Sequence, residues 1–206
     1  MYNKNNTEAQ QEEQRIKREQ RKMRADAKRN AAKLKSKGGG GGGGIKAGKG
    51  FAIMRIQKLK TFANISGSAN HVHRVNNTPN ANPKLTQNNR ILVGSADLVG
   101  DVKAYLDANI TARKPDGSYK IRKDNVLCTE HVLTASPEFF ASGDKKALRK
   151  WVDANIKYLK KQHGNNLIHA VLHLDETTPH IHAYTVPLHE GKLNQKHFTG
   201  TRAKIG

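Results

Sequence analysis

Ten residues, His173-Leu-Asp-Glu-Thr-Thr-Pro-His-Ile-His182, put three imidazoles and two carboxylates around a single turn. Three neutral imidazoles can hold a divalent ion and still leave positions open for a water or a phosphate oxygen, as a catalytic centre requires. His173, His180 and His182 are therefore the candidate metal ligands. Asp175 and Glu176 can complete the ion's shell, brace an imidazole or orient a water. Imidazole donors suit Zn, Mn, Ni and Cu better than Mg, so spacing alone does not choose the ion.

The remainder of the chain narrows the substrate. It has 206 residues, with 37 Lys plus Arg against 17 Asp plus Glu, a formal charge of +20. Such a surplus repels itself in a compact protein and serves a polyanionic partner. Part of it lies in residues 1–37, where 12 basic and 5 acidic side chains leave +7. Residues 51–206 hold 23 basic and 12 acidic side chains, +11, so that part is basic in its own right and nucleic acid is the expected partner. A metal site on such a protein points to phosphodiester chemistry. Two routes fit: hydrolysis by a metal-activated water, or transesterification in which a side chain attacks phosphorus and stays attached. The second needs a nucleophile that spacing alone does not identify. One cysteine, Cys128, excludes an internal disulfide and reads as core. With no apolar run near the roughly 18 residues of a membrane span and no signal core, a soluble cytoplasmic protein is expected.

The elements that must position the site follow from hydrophobic pattern. The runs 167–174 and 181–188 read as strands, joined by the Asp-Glu-Thr-Thr-Pro connection. Residues two apart in a strand share a face, so His180 and His182 point the same way, roughly 6.5 Å apart along the chain. Antiparallel pairing of the two strands would bring His173 beside them. Residues 51–59 read as a strand apolar on both faces, hence central, followed by a polar loop carrying His71, His73 and Arg74 and a Pro- and Asn-rich stretch to Asn89. Ser95 can cap a helix running to about Arg113, Lys114-Pro-Asp-Gly117 is a turn, and Val126–Thr134 is a further strand. Ser136-Pro-Glu138 opens a helical turn, and Asp144–His163 is a long amphipathic helix ended by Gly164. The fold class is α+β: an antiparallel sheet flanked by helices. Residues 1–37 are a basic extension, helical or disordered, 38–50 a glycine-rich linker and 51–206 the catalytic domain.

His173-x-Asp-Glu-x-Thr-Pro-His-x-His182 resembles the signature of the Mob/Pre plasmid mobilisation proteins, the MobV class of relaxases within the HUH endonucleases. The resemblance extends over residues 51–206. Met54-Arg-Ile-Gln-Lys-Leu-Lys60, Asn64-Ile-Ser-Gly-Ser68 and His71-Val-His-Arg74 are similar to the family's first motif. Asp124-Asn-Val-Leu-Cys128 is similar to its middle strand, and Gly191-Lys-Leu-Asn-Gln-Lys196 to the segment past the metal site. The resemblance implies the HUH relaxase fold and strand-specific nicking and joining of plasmid DNA at an origin of transfer, recognised as a hairpin and a single strand. It also implies conjugative mobilisation, with the coupling protein of a conjugation system as a further partner, and a divalent metal, Mn²⁺ or Mg²⁺, with Zn²⁺ the alternative. The attacking group it implies is a histidine of the first motif, which falls at His71 and would leave a covalent 5′ protein–DNA intermediate. Arg74 would bind the phosphate as a fork, and Glu176 would position a water or a ligand.

Where relatives often carry an acid two residues after the nucleophile this chain has His73, so His71 and His73 stay unseparated. The chain also stops at Gly206, where similar proteins continue, so a C-terminally truncated domain is expected. It could then bind origin DNA without turning over. Tyr158-Leu-Lys-Lys161 matches the Tyr-x-x-Lys pattern of HUH rolling-circle replication initiators, but it precedes the metal motif and reads better as helix packing. Tyr184 shares a face with His180 and His182 and is expected to pack under the metal. Lys58, Lys60, Arg74, Lys192 and Lys196 flank the motifs and are the candidates for DNA contact. The basic residues of the long helix read as a solvated face.

Overall fold

The computed structural model describes residues 46–47 and 50–199, which belong to the unit formed by residues 44–206. The basic extension, most of the glycine linker and the last residues lie outside the described part.

The β-branched and apolar runs build one antiparallel sheet. Its spatial order is β1 (Lys46–Ala47), β2 (Gly50–Leu59), β4 (Cys128–Ala135), β6 (His180–Thr185), β5 (Leu167–His173), β3 (Arg90–Val93). β5 and β6 form the expected hairpin, with His173 directly opposite His180 and Val171 opposite His182. β4 lies on the other side of β6 and pairs Val132 with His182 and Glu130 with Tyr184. Cross-strand partners share a face. His173, His180, His182, Tyr184, Val171 and Glu130 therefore all point to one side of the sheet.

That side is covered by α1 (Phe62–Val72) and α2 (Leu98–Asn109), which bury Ile65, Val72, Leu98, Val102 and Leu106 against Leu59, Cys128, Val171 and Tyr184. A short helix α3 (Pro137–Phe140) precedes α4 (Lys145–His163), which is capped by Asp144 and ended at Gly164, φ 54°. Val152 and Leu159 of α4 cover the opposite side of the sheet, over Leu133, Leu167, Ala170, Leu172 and Ile181. A small hairpin, β7 (Leu188–His189) with β8 (Lys192–Leu193), and α5 (Gln195–Thr199) close the described chain.

Four expectations need correction. Residues 51–59 are not a central strand. β4 alone pairs β2 along its length, the two-residue β1 lies outside it, and Phe51, Ile53, Met54 and Ile56 are 41–55% exposed. The polar segment carrying His71 is a helix up to Val72. Thr61 accepts from the Asn64 amide at its start, and Phe62, Ile65, Ala69 and Val72 recur at helical spacing toward the core. The α2 cap is Asp97, which accepts from the Gly100 amide, whereas the Ser95 hydroxyl donates to Asp101. The Asn-rich stretch holds a 3₁₀ helix (Pro83–Asn88) and then β3, whose four residues are too few to show an alternation.

Candidate metal centre and nucleophile

At the His173–His180 end of the hairpin, one ring nitrogen of each candidate ligand is tied to an acceptor. The Nε2 of His173 lies 2.8 Å from the Val72 carbonyl, and the Nδ1 of His180 lies 2.9 Å from the Thr178 carbonyl. The Nδ1 of His182 lies 2.7 Å from Glu130 Oε1. Carbonyls and carboxylates only accept, so those nitrogens carry the hydrogens. The lone pairs are left on Nδ1 of His173 and on Nε2 of His180 and His182. The three residues can present ligand atoms within 4.8 Å of one another, and His173 Nδ1 is 3.2 Å from His180 Nε2. Three neutral imidazoles with fixed tautomers and braced far nitrogens suit a divalent ion. Burial first, then the neighbouring His182 and Arg74, pushes the His173 pKa down to about 3, so the ring is unprotonated at neutral pH, and its Nδ1 lone pair faces Arg74 Nη2 at 3.0 Å, a contact that a bound ion would displace.

Glu130 is the residue that sequence reasoning missed. Its carboxylate is buried, accepts from His182 and accepts from the Tyr184 hydroxyl at 3.0 Å. Burial alone would raise its pKa, but the His182 hydrogen bond and charge outweigh that and hold it lowered. The available signal was a lone acid inside the apolar run 126–133. Tyr184 is fully buried, has its ring 5.8 Å from that of His169 and hydrogen-bonds Ser68 at 2.8 Å. Cys128 is buried as well, and burial pushes its thiol pKa up, so it stays a core residue.

The end of α1 delivers His71 to the imidazole cluster. Its exposed ring lies 5.6 Å from the His182 ring and 6.4 Å from the His173 ring, centre to centre. His73 turns elsewhere: its ring packs 5.2 Å from His169, whose Nδ1 is bonded to Asp101 at 2.9 Å. Burial, then His182 and Arg74, lowers the His71 pKa below that of a free imidazole.

Arg74 does not present a free fork. Its side chain is 8% exposed, and its guanidinium donates to both Asp175 oxygens (2.9 and 2.8 Å), to Glu176 (2.7 Å) and to the His71 carbonyl (3.0 Å). Its Nη2 also lies 3.0 Å from His173 Nδ1. Asp175 further accepts from Thr86 at 3.1 Å and Asn89 at 2.8 Å. Burial would raise the Asp175 pKa, but these donors hold it well below the usual carboxylate range. Glu176 is 3.7 Å from His180 Nε2.

The lysines are not gathered here. Lys58 pairs in register with Thr129, on the sheet side that α4 covers, away from the imidazoles. Arg55, opposite Val132, shares the histidine side instead. Lys60 is exposed just before α1, whereas Lys192 and Lys196 lie beyond the far end of β6. Tyr158 is 46% exposed on α4, the helix on the opposite side of the sheet.

A family model described as "Plasmid recombination enzyme" (Mob_Pre) matches residues 49–206. The chain belongs to the Mob/Pre family. Among Mob/Pre relatives, the plasmid recombination enzyme of Streptococcus agalactiae is 32% identical over 71% of this chain and 30% of its own length. A 65 kDa protein of Zymomonas mobilis is 34% identical over 74% of this chain and 26% of its own. This chain thus spans about a third or less of those relatives. The MobM relaxase domain, solved with manganese and bound to pMV158 oriT DNA, superposes with a TM-score of 0.64 at 31% identity, covering 74% of this chain and 78% of that one. A second manganese-bound MobM–oriT structure gives 0.62 at 32%. Among the described residues no helix is long and apolar enough to cross a membrane.

Proposed function

We propose that this Mob/Pre chain nicks and rejoins one strand of plasmid DNA at an origin of transfer, with His71 as the attacking group. The observation that carries this reading is the exposed His71 ring lying beside His182 and His173, two of three clustered imidazoles of fixed tautomer. The MobM domain's manganese and oriT DNA support the same class of ion and substrate.

His173 Nδ1, His180 Nε2 and His182 Nε2 would hold the divalent ion, which supplies Lewis-acid polarisation of a phosphate oxygen. The neutral His71 imidazole supplies the lone pair. That pair forms a nitrogen–phosphorus bond, the phosphorus–O3′ bond breaks with its electrons, and the ring N–H proton ends on the 3′ oxygen. The products are a 5′ phosphoramidate on the protein and a free 3′ hydroxyl, and the reverse sequence rejoins the strand. The lowered His71 pKa keeps the ring neutral near pH 7. Glu130, Thr178 and Val72 hold the three ligand rings. Arg74 and Glu176 position the end of α1 against the hairpin rather than touching phosphate.

The test is incubation of the 206-residue chain with origin DNA and Mn²⁺, followed by peptide mapping of the covalent adduct. His71→Ala should abolish the adduct and His73→Ala should retain it. Equal adduct from wild type and His71→Ala would refute the assignment. Origin binding without adduct under any divalent ion would make the chain a binding module.

A further inference from the structure

At the far end of the sheet from the histidines, a cavity of about 660 Å³ opens between two segments the mechanism does not use. One wall is the segment after α2, contributing Arg113, Lys120 and Arg122. The other is the β7–β8 hairpin, contributing Lys192 with Asn194. Among the described residues no carboxylate lines it. The walls are fastened to each other: the Thr111 amide donates to the Gly191 carbonyl at 2.9 Å, and Asn125 Nδ2 donates to the Leu193 carbonyl at 3.5 Å. Gly191, at φ 71°, sits so close to Thr111 that a Cβ there would collide with it. The lysines and arginines are thus held on a braced framework rather than scattered over one solvated helix face.

Lys120 and Lys192 have no acidic partner among the described residues. Arg113 shares Asp107 at 3.7 Å, and Arg122 lies 3.6 Å from Asp124, both groups of that pair being 78% exposed and so weakly coupled. Arg113 also donates to the Gly117 and Asp107 carbonyls and stacks over Tyr119, so of the four cations lining the cavity Lys120, Arg122 and Lys192 are those left to favour an anion there.

We propose that this cavity is a phosphate cradle that holds the backbone of the origin DNA away from the scissile phosphate. The inference rests on the nicking reading, and it commits to phosphodiester oxygens of the DNA. Free phosphate is the alternative source of the same chemistry. From His180 to Thr185, β6 covers five residue steps, about 17 Å at ~3.4 Å each, before the chain enters the β7–β8 wall. At ~3.4 Å axial rise per step of a duplex strand, that length corresponds to a phosphate about five nucleotides from the reacting one.

The experiment compares the 206-residue wild type with Lys120→Gln/Arg122→Gln, both substitutions at exposed positions. Affinity is read by anisotropy at several salt concentrations, on an origin oligonucleotide that extends well past five nucleotides and on one trimmed to less. Each phosphate contact adds ~0.7 to ~0.9 to the salt slope, so the double variant should flatten the long-DNA slope by about 1.4–1.8. The trimmed DNA should give the same slope for both proteins, and Lys120→Arg/Arg122→Lys should restore the long-DNA slope. Equal slopes on long DNA overturn the cradle while leaving the nicking reading intact. Equal slopes combined with a phosphate-induced thermal shift present only in wild type assign the cavity to free phosphate and overturn the DNA assignment. Failure of the wild type to bind either oligonucleotide overturns both readings.

Discussion

Replacing Glu130 by Gln separates metal binding from folding at this centre. Glu130 is 5% exposed, and its Oε1 accepts from both the His182 ring and the Tyr184 hydroxyl. An amide oxygen has two lone pairs and can accept both bonds, so the fold should survive. What disappears is the negative charge that makes His182 Nε2 a better donor to a cation. Removing such a brace behind a ligating imidazole weakens metal affinity by about 10- to 100-fold. That range corresponds to about 1.4–2.7 kcal/mol. Glu130→Ala would instead leave two buried donors unpaired, at about 1–3 kcal/mol each, and should show up mainly as lost stability. The assay is Mn²⁺ titration by calorimetry without DNA, alongside urea unfolding of the metal-free protein. If folded Glu130→Gln binds Mn²⁺ as tightly as wild type, then Glu130 does not tune a ligand at His182 and the metal assignment built on that ring fails.

Arg74→Ala strands the Asp175 carboxylate, whose side chain is fully buried, and should cost about 3–5 kcal/mol in urea unfolding. Arg74→Lys should recover only part of this, because a point charge cannot reach Asp175, Glu176 and the His71 carbonyl together; full recovery would rule out the multidentate role. Stability of the metal-free protein should also fall with acid. Burial pushes the pKa of His131 down to about 4 and that of His173 to about 3. The unfolded chain therefore takes up protons from about pH 6.5 downward while the fold does not. Each of these histidines steepens the loss by up to about 1.4 kcal/mol per pH unit between pH 6.5 and its own folded value. A urea midpoint that stays flat from pH 7 to pH 5 would contradict their neutrality in the fold.

The hairpin was legible because its signal is local: an alternation of period two, a turn-forming connection and three histidines in ten residues. The partners of those histidines were not. Val72 supplies a backbone carbonyl, which no side-chain pattern reveals, and Glu130 arrives through a strand some fifty residues earlier. The helix carrying His71 was hidden because Asn64, Ser66, Ser68 and Asn70 favour turns on their own. Tertiary burial of Ile65 and Val72 overrides that preference. The β2 strand was misjudged for the opposite reason. Apolar residues on both faces normally mark a buried strand, yet here Ile53, Met54 and Ile56 remain exposed. Its lysine, Lys58, consequently falls on the side away from the chemistry.

The proposed nucleophile and the proposed metal ligands come from segments about a hundred residues apart and need a coupling that tolerates little error, since a misplacement of about 1 Å can cost roughly a hundredfold in rate. Arg74 supplies it. It sits at φ 57°, a left-handed conformation that disfavours a residue with a Cβ by about 1–2 kcal/mol. That strain folds its side chain back across the end of α1. One guanidinium then grips the His71 carbonyl on one side and Asp175 and Glu176 on the other. In return, His173 donates its Nε2 hydrogen to Val72, the residue between the two first-motif histidines. Any shift of the hairpin therefore drags the His71 backbone with it. A helical φ at position 74 would release this grip, so the strained conformation itself keeps the His71 backbone against the hairpin.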